Sequence, residues 1–96
     1  MKIEILREAQ ADLDDGYWFY DHLSPGLGEY FLGSLASDIR SLQLFAGIHQ
    51  KYGDLYRMLA ARFPYSVFYR YDANMVKVFA VVDNRRDPDW IRERVN

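Results

Sequence analysis

Seven arginines, Arg57, Arg62, Arg70, Arg85, Arg86, Arg92 and Arg94, fall in the C-terminal half of this 96-residue chain. Arginine grips phosphate or carboxylate bidentately and steadies charge developing on a phosphoryl group without itself losing a proton. Such a cluster could position a scissile phosphate, but cleavage would still need an acid and a base. The two histidines, His22 and His49, stand in the other half at expected loop positions, without metal-ligand spacing to a carboxylate. Asp12, Asp14 and Asp15 crowd one helical turn and read as a solvated face. With no cysteine, thiol nucleophiles, Cys-ligated zinc and disulfides are excluded. Neither a Walker-type loop nor a G-x-G-x-x-G motif is present, and no metal or cofactor is expected. The simplest alternative is that the arginines pair with nearby Asp72, Asp83, Asp87 and Asp89.

The elements that must carry these side chains follow from periodicity. "KIEIL" at residues 2–6 alternates as a short strand. From Glu8 to about His22, Ala9, Leu13, Tyr17 and Tyr20 recur at helical spacing. "LSPG" breaks that helix, with Ser24 expected as the next N-cap and Pro25 at the first helical position. A second helix carries Leu27, Phe31, Leu35, Ile39, Leu42 and Phe45 to about Gly47, so the two form an antiparallel hairpin. "GIHQKYGD" reads as a loop. The period then becomes two in "LYRMLAAR", "YSVFYRYD" and "MVKVFAVVD". Pro64 separates the first two strands, and "DAN" turns between the last two. "DPDWIRERV" closes as a short helix capped by Asp87. The expected fold is α+β, in the order βααβββα. A helical hairpin packs on a mostly antiparallel four-stranded sheet, and residues 1–96 make one domain.

Strand alternation assigns two faces. Tyr56, Met58, Ala60, Val67, Tyr69, Tyr71, Val76, Val78, Ala80 and Val82 should meet the helices. Arg57, Leu59, Ala61, Ser66, Phe68, Arg70, Lys77, Phe79 and Val81 should share a mixed face. Leu59, Phe68, Phe79 and Val81 need a cover there. The final helix supplies part of it through Trp90 and Ile91, and a partner chain the remainder. Arg57, Arg70, Arg85 and Arg86 are expected to form one basic surface beside this apolar patch.

Charge is divided along the chain. Residues 1–50 hold 3 basic and 8 acidic side chains, a net of −5, and residues 51–96 hold 9 and 6, a net of +3. Either the halves neutralise each other or the second half meets an anionic partner. No apolar run approaches the ~20 residues of a membrane span, and no signal-peptide core is present, so a cytoplasmic protein is expected, without membrane association.

The stretch "YRMLAARFPYSVFYRYDANMVKVFAVVDNRRDPDWIRER" resembles the C-terminal half of RelE/ParE-type toxins of type II toxin–antitoxin systems. RFPY before a V-x-Y strand, then RRDP and a Trp, resembles the ParE-like plasmid-stabilisation branch. The "A-x-x-D-L" and "SPGLGEYFLGSL" helices extend the likeness over nearly the whole chain. The resemblance implies two N-terminal helices on an antiparallel sheet, and a cognate antitoxin whose tail wraps the toxin in a hetero-oligomer. It also implies one of two activities: ribosome-dependent cleavage of messenger RNA, or poisoning of DNA gyrase. Of the ribonuclease pattern, Arg57 falls at a catalytic lysine and Arg86 at a site arginine. Leu59, Ser66 and Arg92 replace a second lysine, an arginine and a tyrosine. Losing a second cation and a candidate acid costs catalysis orders of magnitude, which favours the ParE-like branch. A ribonuclease completed by the ribosome, and a degenerate toxin that retains only antitoxin binding, are the alternatives. Target or antitoxin contacts are expected from Arg57, Leu59, Phe68, Arg70, Phe79, Arg85, Arg86 and Trp90.

Overall fold

A computed structural model describes every residue from Met1 to Asn96. The strands are β1 (Lys2–Ile5), β2 (Gln50–Tyr52), β3 (Leu55–Leu59), β4 (Tyr65–Asp72) and β5 (Met75–Asp83). The helices are α1 (Arg7–Leu23), α2 (Leu27–Arg40), a one-turn α3 (Leu42–Phe45) and α4 (Pro88–Val95). One sheet has the order β1-β5-β4-β3-β2, with β1 parallel to β5 and every other neighbour antiparallel. The α+β class and the helical hairpin stand as the sequence predicts. The sheet has five strands rather than four, because Gln50–Tyr52, read as loop, pairs with Leu55–Arg57. Three residues are too few for alternation to be legible.

The hairpin itself depends on close approach. A Cβ on Gly16 would lie 2.5 Å from the Phe31 ring, and one on Gly28 2.7 Å from the Tyr17 carbonyl oxygen, so at these two points α1 and α2 can approach this closely only because glycine stands there. Ser24 does not cap α2. The helix begins two residues later, after Gly26 in the left-handed region, and the Asp21 carboxylate reaches across to accept from the Gly26 and Gly28 amides. A side chain five residues before Gly26 and seven before Gly28 thus takes the role expected of Ser24. The second helix also breaks at Ser41, whose hydroxyl donates to the Asp38 carbonyl, and Phe45 leaves the apolar stripe for solvent. The Ala73–Asn74 turn uses two left-handed residues, the primed geometry that matches strand twist.

The upper face of the sheet meets the hairpin. Leu35 and Ile39 join Val67, Tyr69, Val76 and Val78 in one buried cluster, and Tyr20, Phe31, Phe63 and Tyr65 extend it as an aromatic knot. The face assignment fails beyond Val78. Val81, not Ala80 or Val82, joins this upper core. Phe68 pairs with Ala80 and Tyr69 with Val78, leaving Phe79 unopposed as a β-bulge that reverses the alternation. Strict period-two counting cannot foresee one extra residue.

The lower face is closed by α4. Ile91 packs on Leu55, Phe68, Ala80 and Val82, with Tyr52, Phe79 and Val95 around them. Phe68 is therefore fully buried core and not an uncovered contact, while Leu59 stays 65% exposed. The helix is capped by Asp87, which accepts from the Asp89 amide, with Pro88 at its first position as predicted. Its far end is fastened by Asp12 of α1, whose carboxylate accepts both from Arg94 and from the Val81 amide. Asp12 is thus a half-buried joint rather than part of a solvated face.

Replacing Phe68 with Ala should cost about 3–5 kcal/mol, the usual range for truncating a buried Phe. Urea unfolding checks this: a stability within ~1 kcal/mol of wild type would show that α4 does not hold this face closed.

Candidate functional site

Arg62 is exposed with neither an ion pair nor an aromatic partner, and the other six arginines of the C-terminal half separate into two groups. Three are neutralised: Arg85 by Asp83 at 2.7 Å, Arg92 by Asp89 at 2.7 Å, and Arg94 by Asp12. Arg57, Arg70 and Arg86 are in no ion pair, and each instead lies over an aromatic ring. The guanidinium carbons sit 5.9 Å from the Phe68 centroid, 5.2 Å from Phe79 and 4.2 Å from Trp90, respectively. A cation–π contact orients a guanidinium while leaving its charge largely available. Aspartate pairing therefore explains some of the arginines and leaves others free.

Arg57 is the most firmly held of the three that lie over rings. Its Nε donates to Ser66 Oγ at 2.8 Å and its Nη2 to Asn84 Oδ1 at 3.1 Å. Ser66 Oγ in turn donates to the same Asn84 oxygen at 2.6 Å. Ser66 is completely buried, so the ring of contacts is anchored in the sheet. Leu59, two residues further along β3 and on the same face, is open to solvent.

Arg86 and the outward-turned Trp90 edge a cleft of ≈ 580 Å³ between α1, β5 and α4, in which Phe19 and Asp15 also stand. The sequence missed Phe19 because helical spacing marks it only as an exposed position of α1. Tyr65 lines the same cleft from below, where burial pushes its hydroxyl up to about 12. Burial also raises Asp12, outweighing the Val81 amide and Arg94, which pull it down. Arg70 lies elsewhere, opposite Lys77 in a groove floored by Leu6 and Phe79.

The single basic surface expected from the sequence is thus divided: Arg70 stands apart, while Arg57 is bonded to Asn84, two residues before Arg86. Arg70 is four residues from Ser66 along β4, about 13 Å away, with the buried Phe68 between. Arg85 turns to the helix side, donating to the Tyr20 hydroxyl at 3.3 Å as well as to Asp83, and belongs to the framework. His49 is no free loop residue. Its Nδ1 is bonded to the Tyr69 hydroxyl, which also accepts from the Gly47 amide, and burial lowers its pKa. His22 is exposed on α1 against the Trp18 carbonyl. His49 precedes Gln50, the register partner of Arg57, but its ring is bonded to Tyr69 of the helix-facing core, on the opposite face of the sheet from Arg57. No helix is long and apolar enough to cross a membrane.

No family profile and no curated protein matches the sequence. Among solved structures the chain is similar to one from a chromosomal ParDE TA system from P. aeruginosa. The superposition has a TM-score of 0.78 at 22% identity and covers 86% of this chain and 95% of the other. The fold is RelE/ParE-like.

Asp83 offers a pH test of the framework arginine. The hydrogen bond from Arg85 holds its carboxyl below the ordinary range. A depressed carboxylate contributes stability that is present above its unfolded value, near 3.8, and is lost as pH falls through its folded value. Asp83→Asn should therefore be less stable than wild type at pH 7, with the gap closing below pH ~3. Melting curves across pH check this, and a gap that persists or widens in acid would show that the pair contributes nothing.

Proposed function

We propose that this chain is the toxin of a type II toxin–antitoxin pair, that it is ParE-like, and that it inhibits growth from the cytoplasm by acting on DNA gyrase. A cognate antitoxin neutralises it in a hetero-oligomer. The RelE/ParE-like fold supports the class, as does the run from RFPY to RRDP and Trp90. The observation that carries the choice of branch is the setting of Arg57. The groups about it, Ser66, Asn84, Leu59 and Phe68, are neutral and cannot exchange protons near pH 7. Such a place holds an anion well but lacks the acid and base that phosphodiester cleavage requires. Binding to a protein target fits it better than catalysis.

In this reading Arg57, Arg70 and Arg86, with Leu59, Phe79 and Trp90, touch target or antitoxin, while Arg85 and Phe68 act through the framework. Induced expression should arrest growth and accumulate gyrase-cut DNA, with ribosome-bound messenger RNA left intact. The Arg57→Ala, Arg86→Ala double variant should relieve arrest while melting near wild type, and Arg92→Ala should remain toxic. Cleaved messenger RNA without cut DNA would make the chain a ribosome-dependent ribonuclease. Normal growth under wild-type induction would leave antitoxin binding as its whole activity.

A further inference from the structure

We infer that Ser66 and Asn84 form a neutral cradle that presents the uncompensated charge of Arg57 to a carboxylate on a partner protein, beside an apolar contact at Leu59. This deepens the reading of the chain as a protein-binding toxin and rests on it. A guanidinium normally meets a carboxylate with two parallel N–H groups. Here two such groups, Nε and Nη2, are spent on Ser66 Oγ and Asn84 Oδ1. Two neutral oxygens occupy the place that one carboxylate would fill. The bond from Ser66 to Asn84 closes the ring, so Arg57 is oriented as rigidly as in an ion pair. Its charge, however, is retained.

That retention has a cost, because Arg57 is half-buried and no carboxylate oxygen lies within ion-pair distance. The Phe68 ring at 5.9 Å compensates only weakly. The same chain supplies carboxylates to Arg85, Arg92 and Arg94, so the neutral partners at Arg57 are a real contrast within one molecule. The Nη1 group has no partner within the chain and remains for a ligand. The class of ligand follows from Leu59, which lies 65% exposed on the same face of the same strand. A phosphodiester backbone has no use for a leucine-sized apolar surface beside its anion. A polypeptide offers an acidic residue next to an aliphatic one.

The test uses the full chain labelled with ¹⁵N and with ¹³C at the leucine methyls. The Arg57 Nε–H and Leu59 methyl signals are followed while acetyl-Leu-Glu-Leu-amide, its Gln counterpart or a single-stranded RNA hexamer is added. The Glu peptide should shift both signals saturably, and the Gln peptide should bind about tenfold more weakly, the scale of one charge-assisted hydrogen bond. Asn84→Asp keeps the acceptor but neutralises the arginine. It should melt no lower than wild type and lose the Glu-peptide response. If that variant does not fold, Arg57→Gln carries the comparison at the Leu59 methyls alone. A saturable shift from RNA with none from the Glu peptide would overturn the proposal in favour of phosphate. No saturable response to the Glu peptide, or a wild-type response from Asn84→Asp, would also overturn it. The titration requires no toxicity, so its failure and a failure to arrest growth are separate results.

Discussion

The structure depends on the carboxylate of Asp12. β1 pairs with β5 only as far as Val78, so beyond that point β5 has no strand on its outer side. The Val81 amide there is turned away from β4 and must find an acceptor. Asp12, projecting from α1, provides one at 2.9 Å. A partly buried carboxylate in turn needs a cation, and Arg94 brings it from the last turn of α4. An unfinished sheet edge thereby fixes the position of the C-terminal helix, and through Ile91 that helix seals Phe68, Ala80 and Val82. Taking away one member of the group would strand the others, which is why such links are costly to break even when their net worth is modest.

The same joint bears on the charge asymmetry of the chain. Of the three ion pairs, only Asp12–Arg94 connects the acidic N-terminal half with the basic C-terminal half. Asp83–Arg85 and Asp89–Arg92 are both local to the β5–α4 region. The fold therefore does little to cancel the two halves against one another. Arg57, Arg70 and Arg86 keep their charge on the C-terminal side, fixed by rings or by neutral oxygens. That is the electrostatic character of a surface prepared for an anionic partner.

Much of this was legible in the sequence, for reasons that can be stated. The helical hairpin and the helix-facing strand residues through Val78 follow from strong periodicities, and the Asp87–Pro88 cap from a local motif. What was not legible depends on single insertions and on long-range partners. The bulge at Phe79 adds one residue and moves Ala80, Val81 and Val82 to the opposite faces. The role of Asp12 needs a backbone amide 69 residues away, and the Ser66–Asn84 cradle spans 18. Asp12 had one available sign: it borders the stripe of Ala9, Leu13 and Gly16, where a carboxylate is seldom fully solvated. Ser66 had another, since a short hydroxyl in the buried run Tyr65–Tyr69 must find its partner within the fold.

The central claim, that one carboxylate completes the sheet edge and fastens α4, is tested most directly by native-state hydrogen exchange at two amides. Val81 should be strongly protected although no strand lies beside it, and Ile91 in α4 should share that protection. In Asp12→Ala both should exchange far faster, while Val76 and Val78, inside the β1–β5 pairing, should change only with global stability. Rapid exchange at Val81 in the wild type, or undiminished protection of Val81 and Ile91 in the variant, would contradict the account.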